Sequence, residues 1–170
     1  TALVCQGQRL TYSEVNERAN RAAGGLLRLG VERGDRIALW LGNSVDAVIG
    51  LFATLKVGAT FVFVNPSTKP AKLAYILNNC AAVGLLCADR ARESAAQAFA
   101  VVPSLRFAVL CGLPDEAPPS APGLLPMASL LEGPPDPQPA ERAHQRFARC
   151  SPTTCALHST ACAAIPGSRP

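Results

Sequence analysis

Four short, almost uninterrupted apolar runs, "IALWL", "FVFV", "VGLLC" and "FAVL", lie between stretches of helical periodicity. This alternation constrains the fold more than any other feature of the chain. A strand with one solvated face alternates apolar and polar residues, whereas a strand covered on both faces is apolar throughout. Strand and helix alternating in this way predict an α/β fold, a mostly parallel sheet with flanking helices.

The punctuation between the runs supports that reading. "ALVCQGQRLTY" reads as two short strands around a turn at Gly7. Thr11 and Glu14 have capping-box spacing, in which hydroxyl and carboxylate each meet a free backbone donor. Val15, Ala19, Ala22, Ala23, Leu26 and Leu27 then recur at helical spacing, and Gly30 supplies the left-handed stop. Asn43 or Ser44 caps a second helix, with an inner face of Val45, Val48, Ile49, Phe52 and Leu55 and an end at Gly58. Asn65-Pro66 closes the next strand. Pro70 opens a third helix carrying Leu73, Ile76 and Leu77, and Asp89 to Phe99 reads as an Ala-rich fourth.

Composition divides the chain. Twelve of the 15 prolines follow Gly112, and of the nine aromatics only Phe147 does. Residues 1–112 are therefore read as the α/β unit, 113–149 as a Pro-rich linker and 150–170 as an unassigned tail. The formal charge of +4 is scattered, with no basic cluster interleaved with aromatics, so nucleic acid is not an expected partner. The apolar run from Ala47 to Val64 is interrupted by Lys56, Gly50 and Gly58 and changes period there, so no transmembrane segment is expected. Seven cysteines, an odd number without the framework of a small secreted domain, suit a reducing cytoplasm. No basic n-region or signal-type cleavage site is present. No G-x-G-x-x-G follows a strand, which disfavours a nicotinamide-binding enzyme.

Two segments carry a resemblance. "LTYSEVNERANRAAGGLLRLGVERGDRIAL" and "LKVGATFVFVNPSTKPAKLAYILNNCAAVGLLCADR" are similar, in order and spacing over roughly the first 110 residues, to the opening of the adenylate-forming (AMP-binding) ligases. That family includes acyl-CoA synthetases and peptide-synthetase adenylation domains. "VNPSTKP" resembles the acyl-CoA ligases, since Pro-Leu or Pro-Ile-Asp is commoner in peptide-synthetase domains. The resemblance implies activation of a carboxylic, fatty or otherwise hydrophobic acid with ATP and Mg²⁺, followed by transfer to coenzyme A. It also implies a partial N-terminal subdomain of that fold, a fragment with no cofactor expected bound. The alternatives are a peptide-synthetase adenylation-domain fragment and a non-catalytic α/β binding module.

The recognised segments identify the family without carrying its chemistry. Lys56 complements a helix dipole, Gly58 permits a tight exit, Asn65-Pro66 makes a turn, and Thr11 with Glu14 makes a cap. No catalytic, cofactor-binding or metal-ligating residue is therefore assigned. The family's next landmark is a phosphate-holding Tyr-Thr-Ser-Gly-Thr-Thr-Gly-x-Pro-Lys-Gly loop. In its place "CSPTTCALHSTACAAIPGSRP" has one glycine and no lysine. This chain alone is expected to be inactive. Bare strand edges are expected to promote self-association.

Two further readings fall on the tail. Cys150, Cys155, His158 and Cys162 have enough ligands for zinc, but in no recognised finger spacing. Shifted by one base, Pro152 to Cys155 encodes Asp-Asp-Leu with permitted codons, residues that often precede the family's loop. This suggests a reading-frame slip before Pro152, and the coding DNA in the neighbouring frames tests it. His144 and His158 are read as solvated.

Overall fold

A computed structural model describes residues 1–112 and 123–135. Strands β1 (Leu3–Cys5) and β2 (Gln8–Leu10) form an antiparallel hairpin, followed by helix α1 (Tyr12–Arg28). Strand β3 (Arg36–Trp40) leads to α2 (Val45–Lys56), β4 (Thr60–Phe63) to α3 (Pro70–Asn79), and β5 (Gly84–Ala88) to α4 (Arg92–Val101). Strands β6 (Phe107–Cys111) and β7 (Leu124–Pro126) and helix α5 (Met127–Leu131) complete the described residues. The five strands β3 to β7 form one parallel sheet in the order β4-β3-β5-β6-β7.

Both faces of the sheet are covered at β3, β5 and β6, while the edge strand β4 is only partly buried. Ile37, Leu39, Leu86, Phe107 and Val109 meet α1, α2 and α5 in one core. The alternate residues Ala38, Leu85, Cys87, Ala108 and Leu110 meet α3 and α4 in the other. This is why the strands are apolar at successive positions, and the α/β fold expected from those runs is the one observed.

Local signals are realised closely at several places. Thr11 accepts from the Glu14 backbone N–H, and the Glu14 carboxylate accepts from Thr11 N at 2.7 Å, the reciprocal capping box. Those bonds, the backbone one first, hold the Glu14 carboxyl below its ordinary range. Ser44, not Asn43, caps α2, its Oγ accepting from Ala47 N at 3.1 Å. Gly30 takes φ +75° after α1, and Pro70 stands in the first turn of α3. The run from Ala47 to Val64 divides into α2 and β4, and among the described residues no helix is long and apolar enough to cross a membrane.

Three expectations are corrected. Helix α2 buries Ile49, Gly50, Ala53 and Thr54, whereas Phe52 and Leu55, assigned to its inner face, are 43% and 44% exposed. Val, Leu and Phe occur nearly all round this helix, so spacing alone could not choose the face; the close approach at Gly50 does. The helix read as Asp89 to Phe99 begins as a 3-10 turn, Asp89–Ala91, with α4 proper starting at Arg92. Arg92 Nη2 lies 2.7 Å from Asp89 Oδ1 across that junction. Within the stretch read as linker, Leu124–Pro126 adds a strand beside β6 and Met127–Leu131 packs as α5 on α1. Prolines there mark loop to a composition argument, yet Pro126 sits at the end of an edge strand, where its missing N–H breaks no ladder.

Arg36 ties the amino-terminal ends of the strands together. Its Nε and Nη2 donate to the carbonyls of Cys80 and Ala81 at 2.7 and 2.8 Å, holding the connection from α3 to β5. Arg106 does the same on the other side, donating to Gly30 O and pairing with Asp35.

Candidate functional site

The chain leaves β3 toward β4 on one side, then crosses to β5 on the other. With right-handed crossovers, this reversal puts α2 and α3 on opposite faces, and the connections diverge between β3 and β5. Such a divergence opens a crevice at the carboxyl ends of the strands. Here it is a cavity of about 390 Å³ between the loop Leu41–Ser44, the ends of β5 and β6, and the β1–β2 hairpin.

Its lining is mostly polar, with Gln6, Gln8, Asn43 and Ser44 beside three charged side chains. Asp46, in the first turn of α2, lines the cavity beside the Gly112 backbone N–H. Burial pushes its carboxyl above the ordinary range, opposed by that N–H and by the positive charge of Arg18. Arg18 and Arg90 line the same cavity. Ser44 Oγ is engaged in capping α2. Burial raises the Cys87 thiol to about 12 and the Cys111 thiol further, with nearby negative charges adding to the effect. Both are protonated at neutral pH, and neither is an activated nucleophile.

A test follows from the sign of the Asp46 shift. The native state holds the Asp46 proton more tightly than the unfolded chain does, so ionised Asp46 opposes folding. The penalty is absent below the ordinary aspartate range. It grows as pH rises from there through the raised value, and stays constant above it. Asp46→Asn keeps an acceptor for Gly112 and removes the charge. It is expected to raise the urea midpoint near neutral pH and leave it unchanged at about pH 3. A fall near neutral pH would show that the carboxylate contributes more than its burial costs.

The residues singled out in the sequence lie elsewhere. Lys56 ends α2 at the opposite end of the layer, its Nζ 2.9 Å from Asn16 Oδ1. Asn65 stands just beyond the end of β4, its Oδ1 accepting from Ser67 N and Oγ at 2.9 and 2.7 Å and its carbonyl accepting from Trp40 Nε1 at 3.0 Å. Both have structural partners, and neither faces the crevice. Asp46, Arg18 and Arg90 were not singled out. An acid in a first helical turn is common, and only the fold brings it to Gly112. His144 and the group Cys150, Cys155, His158 and Cys162 lie outside the described residues. Among the described residues no group of three or more His, Cys, Asp or Glu is placed to hold a metal ion.

The crevice does not fit a triphosphate. It carries both signs of charge: Arg18 and Arg90 would attract the anion, and the half-buried Asp46 carboxylate would oppose it. Ser44 is committed to a cap, and among the described residues the lining has no lysine and no glycine-rich loop. No step through ATP or Mg²⁺ is assigned to these residues.

Comparison with known proteins gives concordant matches. A sequence model of the family described as "AMP-binding enzyme" matches residues 1–156. Surfactin synthase subunit 3 of Bacillus subtilis is 38% identical over 96 residues, which is 56% of this chain and 8% of that protein. The salicyl-AMP ligase / salicyl-S-ArCP synthetase of Mycobacterium tuberculosis is 38% identical over 110 residues, 62% of this chain and 20% of that one. The crystal structure of the anthranilate CoA ligase AuaEII in complex with anthranoyl-AMP aligns with a TM-score of 0.71 and 28% identity, covering 79% of this chain and 25% of that chain. The chain thus spans a quarter or less of each of these proteins.

Proposed function

This chain belongs to the AMP-binding enzyme family, and on that premise we propose that it is the N-terminal α/β portion of an AMP-forming acid–thiol ligase. In the reaction of such a ligase a carboxylate attacks the α-phosphate of ATP, giving an acyl adenylate and pyrophosphate. A thiol then attacks the acyl carbon and AMP leaves. Catalysis of the first step is mainly positioning and charge neutralisation. The observation that carries the reading is the family match over residues 1–156, together with the superposition of the sheet and its helices on an acid–CoA ligase.

We take the thiol to be coenzyme A and the acid to be hydrophobic. The Asn65-Pro66-Ser67 turn supports this, as does the likeness to a CoA ligase. Surfactin synthase subunit 3 supports the second reading, an adenylation domain that loads a carrier-bound thiol. The described residues supply scaffold, and the tail has one glycine and no lysine, so this polypeptide alone is proposed to be inactive. Four free thiols among the described residues suit a cytoplasmic setting.

The test is acid-dependent pyrophosphate release. It is expected from the polypeptide encoded together with the DNA downstream of Arg149, with thioester formed on coenzyme A, and not from the purified 170-residue chain. Thioester formed only on a carrier protein would select the second reading. No acid-dependent release from the longer polypeptide would overturn both, and turnover by this chain alone would refute its inactivity.

Self-association belongs to the same reading. Among the described residues strand β4 is a sheet edge without proline or lysine, and Phe63 at its end is 61% exposed and lies near exposed Val4. Phe63→Lys is expected to shift this chain toward monomer on size-exclusion chromatography; an unchanged elution profile would remove the edge as the cause.

A further inference from the structure

A second cavity lies on the other side of the helical layer. It is a groove of about 440 Å³ between the β1–β2 hairpin, α1 and α2, and this volume lies in the range of small-molecule sites. Leu3, Val15, Val48 and Phe52 give it apolar walls, and its only charged lining residue is Lys56. The Lys56 ammonium donates to one neutral group, Asn16 Oδ1, at 2.9 Å, and has no carboxylate partner among the described residues. An ammonium carries three donors, so two remain for another acceptor. The position is steadied by the amide, half-buried, and adjacent to apolar surface.

We propose that this groove binds an alkyl monocarboxylate, with the chain along Val15, Val48 and Phe52 and the carboxylate on Lys56. The charge pattern selects that class. One cation beside an otherwise apolar trough matches a single anionic head on an apolar tail; a dianion would leave charge unpaired, and a cationic amphiphile would be repelled. The site lies outside α1 and α2, away from the crevice at the carboxyl ends of the strands. The proposal does not depend on the ligase reading, and its test uses binding to this chain, with no ATP present.

The probe is decanoate, titrated into the purified chain and followed by calorimetry and by methyl NMR shifts of Val15 and Val48. One decanoate per chain is expected, with those methyls moving. Octanoate should bind roughly tenfold more weakly, for two fewer methylenes buried. Decanol and decylamine should each bind at least about tenfold more weakly than decanoate, for loss of the charged head contact. Lys56→Gln should reduce the preference for decanoate over decanol to near unity. Asn16→Asp, which retains the lysine but gives it a carboxylate partner, should do the same, so the inference does not hang on one variant's folding. Failure of decanoate to bind, shifts confined to other methyls, or an undiminished preference in both variants would each overturn the site. Occupation of the groove by a protein segment would appear as the first of these outcomes.

Discussion

Gly25→Leu is expected to unfold this domain or leave it without a fixed α5. Gly25 lies in the last turn of α1 where α5 crosses it, and a Cβ there would stand 2.5 Å from the Leu130 carbonyl oxygen and 2.7 Å from its Cα. Those are backbone atoms, and no rotamer change moves them away. Relief requires α5 to lift off α1, exposing Met127 and Leu130, both buried in the core. Overpacking alone typically costs about 1–3 kcal/mol, and uncovering two large apolar side chains adds about 1.5–3 kcal/mol each. The sum is of the order of the whole stability of a domain this size. Urea unfolding followed by circular dichroism measures it. A midpoint within error of the parent chain would mean that α5 does not pack where it is placed here.

The second large effect is at the contact between α2 and the sheet. Leu86 is fully buried in the middle of the sheet, and a Cβ on Gly50 would run into its Cδ2. Leu86→Ala is expected to cost about 2–5 kcal/mol, from lost apolar transfer and the cavity left behind. Gly50→Ala alone gains up to about 1 kcal/mol of helix propensity but must displace Leu86, for a net loss of about 1–2 kcal/mol. The obstructing atom is the end of a flexible side chain, which is why this loss is smaller than at Gly25. In the double variant the obstructing atoms are gone and the new methyl occupies part of the cavity. Its loss should therefore be at least about 1 kcal/mol smaller than the sum of the two single losses. Additive effects in a double-mutant cycle would show that Gly50 and Leu86 do not meet.

The contrast between these glycines shows where sequence reading stops. Both stand inside helices whose periodicity is unaffected by them, and nothing local distinguishes a glycine facing a backbone from one facing a leucine tip. The same limit applied to α2. Its apolar residues run almost all round the helix, and the side with the smallest residue, Gly50, is the one drawn closest to the sheet, leaving Phe52 and Leu55 outside. It applied again at residues 124–131, where proline content reads as linker although Leu124 and Leu130 are buried. Composition reports average chain entropy over a stretch, whereas one strand and one helical turn need only a few well-placed leucines.

Residues 1–112 themselves determined a good deal: the parallel sheet with its doubly covered central strands, the cap at Thr11 and one at Asn43 or Ser44, the stop at Gly30, and the resemblance that the family match bears out. Each depends on neighbours within one element, or on a run of residues apolar on both sides, so the information is local. Tertiary structure alone decided that Asp46 meets Gly112, that Lys56 borders an apolar groove beside Asn16, and that α5 lies backbone to backbone on α1. Those pairings join residues far apart in the chain. They exist because burying both faces of one sheet brings its flanking elements together, and no short window of sequence contains both partners.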